Sequence, residues 1–413
     1  MLKTSSTAGE HDNNARKPNV AIIPHLFIDR TDKSHLDDLI AVLTPLTNKV
    51  LVLTGGTGSA EHTASGREII PYHNRTKGVE IVPISARMRT SLPLKAFEQA
   101  SAQLRILLLL SKLREEIDIL VLFLGGIEYA EQFAFAKYLS MKRLGVVTGL
   151  GSAQRIQPLK ESQDRWQVGE LMRLRINAIL ERLSYRLSDK LLVYDASIID
   201  QAKVGRYREK IVVGHRHFVD FDQYRFENTI DQRDAIITYV GRLHEEKGVL
   251  NLIEAIPHVL NERDDVHFVI IGDGHLDREI RDYLDKYALQ NSVELAGWIP
   301  HNRLPKYYAK SKLLVLPSYT EGLPHVMLEA MACGTPVLAT PVGAVPKVIT
   351  SGETGFLMHD NSPTCVAENI VEALTFPSLK RIALNARNLV EREFQYESVL
   401  ETWEHIVCDM KRS

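Results

Sequence analysis

The sequence predicts an α/β protein of two doubly wound domains, each a parallel sheet covered on both faces by helices. Three observations predict it. Apolar strand patterns alternate with amphipathic helix patterns from residue 19 onward, the order that yields a parallel sheet. A length of 413 residues suits two cores of roughly 200 residues each. Between 214 and 233 the periodicity lapses, and a fresh apolar strand begins at 235.

Residues 1–18 are polar and lack the apolar core of a signal peptide, so they read as a disordered tail. The first domain, 19–214, opens with a short strand at 19–24. Ser34 is expected to cap a helix whose apolar positions Leu36, Leu39, Ile40, Leu43 and Leu46 keep helical spacing. Strands are expected at 50–54, 79–84, 117–124, 146–148, 190–194 and 210–213. The segment 215–233 is read as a linker, with His215 and His217 a solvated pair within it. The second domain, 234–394, has expected strands at 235–240, 267–271, 293–297, 313–316, 337–339 and 355–358, a helix at 249–260, and a closing helix over 395–413.

Composition narrows the function. Charged residues make up 25% of the chain and hydrophobic ones 45%, as in a globular protein, and a net charge of −2 argues against a nucleic-acid partner. Three cysteines, Cys333, Cys365 and Cys408, have neither metal nor disulfide spacing and point to a reducing, cytoplasmic setting. No apolar run is long enough to span a membrane. The longest, 117–136, is broken by Gly125, Gly126, Glu128 and Glu131.

The stretch with the most chemistry is PSYTEGLPHVMLEAMACGTP, residues 317–336. It leaves a buried strand and enters a short helix, 325–333, that Gly334 is placed to end. Glu321 and Glu329 stand eight positions apart, one on the loop and one inside the helix. Gly322 lets backbone approach a ligand, and the free amides at the helix start suit a phosphate or sugar oxygen. Upstream, Arg242 and Lys247 follow the first strand of the second domain, at the end of a parallel sheet where ligands bind. Arginine grips phosphate oxygens with two bonds and lysine is a mobile point charge, though both can equally pair with Glu245 or Glu246.

The pattern of two glutamates with seven residues between, running into EAMACGTPVLAT, resembles that of family 4 glycosyltransferases, the retaining group 1 enzymes of the GT-B fold. YVGRLHEEKG, VIIGDG, VELAGWIP and GFLM follow in the family's order, so the resemblance covers most of 234–358. It implies two Rossmann-like domains facing across a cleft, with the last helix crossing back to the first domain. It also implies transfer of a sugar from a nucleotide-diphosphate donor to a sugar or lipid-linked acceptor, with retention and without metal or cofactor. Residue by residue, it implies that Arg242 and Lys247 hold the diphosphate and that Glu329 accepts from the ribose hydroxyls. Glu321 would lie beside the donor sugar as a positioning and electrostatic group. Gly322, Leu323, Pro324, His325 and Val326 would line sugar and phosphate, while Gly272, Trp298 and Ile299 would border the base.

The first domain departs from the family pattern. No glycine-rich turn follows its first strand, where PHLFIDRTDK stands instead, and no histidine follows LVLFLGG. His25, Gly55 and Gly56 are the candidates on the acceptor side, beside the readings of His25 as structural and of the glycines as a plain turn. Between 137 and 190 there are eleven Lys or Arg against five Asp or Glu. A helix near 171–187 has an apolar stripe, Met172, Ile176, Ile179, Leu183 and Leu187, flanked by Arg175, Arg182 and Arg186. The preferred reading packs that stripe on the sheet, with peripheral contact to an anionic membrane at its inner face left open. Alternatives to a transferase are a non-catalytic nucleotide-sugar-binding subunit and an epimerase.

Overall fold

The computed structural model describes residues 16–24, 30–55, 61–62, 68–69, 76–84, 92–124, 130–147, 167–193, 199, 204–214, 217–227 and 229–412. His25, Gly56, His215 and residues 1–15 of the expected tail lie outside them.

A seven-stranded parallel sheet is built from β1 (Asn19–Ile23), β2 (Lys49–Gly55), β3 (Val79–Ile84), β4 (Ile119–Leu124), β5 (Lys142–Val147), β6 (Lys190–Val193) and β7 (Ile211–Val213), in the order β3-β2-β1-β4-β5-β6-β7. The inner strands are short runs rich in Val, Leu and Ile with both faces covered, so they lack the polar alternation of a half-solvated sheet, while the edge strands β3 and β7 are partly exposed. Helices α1 (Arg30–Leu43), α2 (Leu92–Lys112), α3 (Ala130–Tyr138) and α4 (Gln167–Leu187) belong to this half. Two cores result: one joins the sheet to α2, α3 and α4 through Ile106, Leu110, Phe133 and Tyr185, and the other joins it to α1 through Leu36, Leu39, Ile40 and Leu43.

The second sheet has six parallel strands: β8 (Ile236–Val240), β9 (His267–Ile271), β10 (Val293–Gly297), β11 (Leu313–Leu316), β12 (Val337–Ala339) and β13 (Phe356–Leu357), in the order β10-β9-β8-β11-β12-β13. Helix α5 (Val249–Glu262) fills one face of it, and α6 (His325–Ala332) with α7 (Leu379–Phe394) the other. The end of α6 is a paired cap: Gly334 N–H donates to Met331 O at 3.0 Å and Thr335 N–H to Ala330 O at 2.8 Å, with Gly334 at φ +68°. Buried Arg233 secures that end from outside the helix, donating to Cys333 O, Tyr308 O, Ser311 O and the Thr335 hydroxyl at 2.7–3.1 Å. Burial pushes its guanidinium pKa down to about 10.

The closing helix α8 (Tyr396–Arg412) leaves the second sheet and packs on the first. Its Val399, Trp403, Ile406, Val407 and Met410 join the core of α1 and β1, and the Tyr396 hydroxyl donates to Ala41 O at 3.0 Å.

Four expectations are corrected. Helix α1 begins at Arg30, so Ser34 lies inside it and not at its N-terminal boundary. The strand expected at 146–148 is β5, which starts at Lys142, where Arg143 is charged but buried through its pair with Asp189. Residues 16–18 of the expected tail are docked, with Pro18 O accepting from Asn48 N–H at 2.9 Å and Arg16 O from Lys411 at 2.7 Å. His217 is not a solvated linker residue. It is 2% exposed, and the crossing segment around it is packed: Phe218 meets Tyr396 edge-on at 5.1 Å, while Val219 and Tyr224 enter the core between the second sheet and α6.

Helix α4 also differs. The face it turns inward is Ala178, Glu181, Ser184 and Tyr185, where two small residues allow close approach. Of the predicted stripe's described side chains, Ile176, Ile179 and Leu183 lie on the opposite side, exposed by 52%, 63% and 42%, and Leu187 packs inward. Arg175, Arg182 and Arg186 are exposed beside it.

Candidate active site

The predicted residues fall into two groups around α6 and the carboxyl ends of β8, β9 and β11. The first is built where the loop after β8 meets the loop after β11. Tyr319 N–H donates to Glu246 O at 3.0 Å, which fixes the two loops against each other, and the side chain of Asn361, beyond β13, donates to Pro317 O at 2.9 Å. Lys247 Nζ then lies 2.8 Å from Glu321 Oε1, an oxygen that also accepts from the Ser318 hydroxyl at 2.8 Å. The pair is mostly shielded, with side chains 20% and 11% exposed, so its attraction exceeds that of a surface ion pair. Arg242 pairs with Glu246 at 3.0 Å, the neighbour its sequence context offered.

Gly322 has open space where a side chain would stand. The loop passes instead close to Gly343, at φ +59°, where an added Cβ would meet Glu321 O at 2.1 Å. Ala344 N–H closes this contact by donating to Gly322 O at 2.8 Å. Gly343 was not singled out from the sequence, although a glycine six positions after β11's partner strand began was a visible signal. Gly272 ends β9, its N–H donating to Gly297 O at 2.9 Å, and Trp298 beyond β10 is 50% exposed. Ile299 packs partly into the core between the second sheet and α6, as does Val326, and Leu323 is buried. Gly55 ends β2 in the first sheet.

The second group surrounds Glu329, which is 3% exposed on α6. Tyr308 donates its hydroxyl to one carboxylate oxygen at 2.9 Å, and His301 Nε2 stands 3.0 Å from the other. The hydrogen bond to Glu329 raises the His301 pKa above its ordinary value, while burial first and the Glu329 charge second raise the hydroxyl pKa values of Tyr308 and Tyr224. A cavity of about 180 Å³ opens here, lined by Asp38 of α1, Tyr224 and Gln223 of the crossing segment, His301, His325 and Glu329. Elements of both halves therefore share one wall. His301, Tyr308, Tyr224 and Asp38 were missed from the sequence, since nothing in their own neighbourhoods marks them; Ser318 was missed although it stands three positions before Glu321 in the singled-out stretch.

Residues 220–389 match the family model described as glycosyl transferases group 1. N-acetyl-alpha-D-glucosaminyl L-malate synthase of Bacillus anthracis is 29% identical over 194 residues, 47% of this chain and 50% of the relative. Alpha-D-kanosaminyltransferase of Streptomyces kanamyceticus is 34% identical over 161 residues, 39% of this chain and 42% of the relative. The chain spans about half the length of the curated relatives it matches. In fold, HepE of Anabaena in complex with UDP and glucose superposes with a TM-score of 0.69 at 15% identity, covering 95% of this chain and 99% of HepE. Sucrose-phosphate synthase from Thermosynechococcus elongatus gives 0.68 at 18% identity, covering 96% and 99%. Residues 220–389 are thus similar to the group 1 glycosyltransferases, and the chain has the two-domain GT-B fold of its structural neighbours.

Proposed function

We propose that the protein transfers a sugar from a nucleotide-diphosphate donor to a sugar or lipid-linked sugar acceptor, with retention of configuration. Residues 234–394 form the donor domain and 19–214 the acceptor side. One observation carries the reading: Lys247, Glu321 and Ser318 converge within 2.8 Å contacts at the carboxyl end of the second sheet, inside the segment that matches the family. The leaving diphosphate develops concentrated negative charge, and fixed cations stabilise it as the sugar departs. Arg242 and Lys247 supply those cations, so the reading assigns no cofactor. Lys247 exchanges Glu321 for phosphate oxygens, which frees Glu321 to orient the donor sugar. Glu329 takes the ribose hydroxyls. A carboxylate has about four acceptor positions, so bonds from Tyr308 and His301 leave room for them. Gly272, Trp298 and Ile299 border the base.

A lipid-linked acceptor is supported by α4. Its exposed Ile176, Ile179 and Leu183 with flanking arginines suit peripheral contact with an anionic membrane, at the cytoplasmic face. No helix among the described residues is long and apolar enough to cross a membrane.

The test is a thermal-shift screen with UDP, GDP, ADP, CMP and TDP in chelator and then in magnesium. UDP comes first, because HepE was solved with it. A ligand that binds only the native state at a hundred times its Kd adds about 2.7 kcal/mol of stability. The expected result is a shift for one diphosphate that survives chelator and disappears in Lys247→Ala. Lack of any shift would overturn the donor site. Binding without sugar transfer or donor hydrolysis would leave the non-catalytic subunit in its place.

A further inference from the structure

At the junction of the two halves, three metal-binding side chains from three distant parts of the chain meet. Asp38 comes from α1, His217 from the crossing segment and His325 from the first turn of α6. Asp38 Oδ2 is 3.7 Å from His217 Nδ1 and 3.6 Å from His325 Nε2, and all three ligand atoms lie within 4.8 Å of one another. The imidazoles stand nearly perpendicular, at 85° with centroids 3.8 Å apart. His217 is buried, and the side chains of Asp38 and His325 are 19% and 18% exposed, so the cluster is largely withdrawn from water.

We infer that Asp38, His217 and His325 form a binding site for a late first-row divalent cation of the zinc class, clamping the two domains at their crossing. Zinc holds nitrogen and oxygen ligands at about 2.0–2.1 Å, which sets tetrahedral donors about 3.4 Å apart. The two measured separations to Asp38 exceed that by a few tenths of an ångström, a shift that side-chain rotation supplies. Two imidazoles with one carboxylate favour zinc, cobalt or nickel over magnesium and calcium, which take mainly oxygen ligands. Asp38 and His325 also line the cavity beside Glu329, so the ion sits at its rim. The site is separate from the cations assigned to the diphosphate. It acts by tying α1, the crossing segment and α6 together, independently of whether the transfer reaction is as proposed.

Protein dialysed against zinc and then against metal-free buffer is assayed for bound ion by elemental analysis, and for affinity by competition with a chromogenic chelator. Cobalt titration adds a visible absorption band diagnostic of tetrahedral ligation. Wild type and His267→Gln, a distant exposed histidine, are expected to retain one ion per chain. Asp38→Asn and His217→Gln are expected to bind on the order of 100-fold more weakly, at least the loss known for supporting residues of metal sites. Should His217→Gln fail to fold, Asp38→Asn decides, because an amide replaces a partly exposed carboxylate at equal volume. A wild type that retains no ion, or an Asp38→Asn variant that binds like wild type, would overturn the site and leave a hydrogen-bonded carboxylate between two histidines.

Discussion

Lys247 and Glu321 stand 2.8 Å apart on loops whose strands are neighbours in the sheet, although 74 positions separate them in the chain. In the proposed reaction, removing the ammonium deletes the charge that would meet the leaving diphosphate. Lys247→Ala is therefore expected to lower turnover by about two to three powers of ten with saturating donor, the cost of losing one preorganised stabiliser. Unchanged turnover would remove Lys247 from the mechanism. If Glu329 holds the ribose as proposed, it serves ground and transition state alike, so Glu329→Gln is expected to raise the donor KM and leave kcat near wild type; steady-state kinetics that lose kcat at normal KM would contradict it. His301 has a pH consequence. Its pKa is raised above 6.5 in the fold by the Glu329 hydrogen bond. A group raised on folding contributes stability fully below its unfolded value, and the contribution is lost as pH climbs through the folded one. The melting-temperature gap between wild type and His301→Gln is thus widest below about pH 6.5 and narrows above it; a gap constant with pH would refute the pairing.

At the scale of elements, the second sheet was the most legible part. The strands at His267–Ile271, Val293–Gly297, Leu313–Leu316 and Val337–Ala339 match their expected bounds because each is a short apolar run closed by glycine, proline or a polar turn. Arg242, Lys247, Glu321 and Glu329 were legible because a local motif holds each. Their partners were not. Tyr308, His301 and Asp38 reach α6 only through tertiary packing, which leaves no mark at their own positions. Helix α4 shows the converse: the apolar spacing was read correctly, but periodicity alone cannot say which side of a helix meets the sheet when small residues such as Ala178 and Ser184 permit the polar side to pack. Each arginine near an anionic surface contributes about 1 kcal/mol, so Arg175, Arg182 and Arg186 changed together to glutamine should weaken binding to phosphatidylserine vesicles about a hundredfold. Sedimentation with vesicles measures this, and equal binding by the variant would discard the membrane contact.

Across the whole molecule, two sheets are joined twice, once by the crossing segment and once by α8. Trp403 is fully buried between α8 and the first sheet. Trp403→Ala should cost about 3–5 kcal/mol, read as a lower denaturant midpoint for the first domain. A midpoint within error of wild type would mean that α8 is not part of that core.

The return of α8 also orders events in time. Domains usually acquire structure as they emerge during synthesis, amino end first. Here the first sheet is fully spelled out at Val213, yet Val399, Trp403, Ile406 and Met410 still have to arrive before its apolar face over α1 is covered. A nascent chain paused anywhere between must therefore hold an open hydrophobic face. The second domain, whose two cores contain no residue of α8, has all its buried packing residues in place at Phe394, before α8 is made.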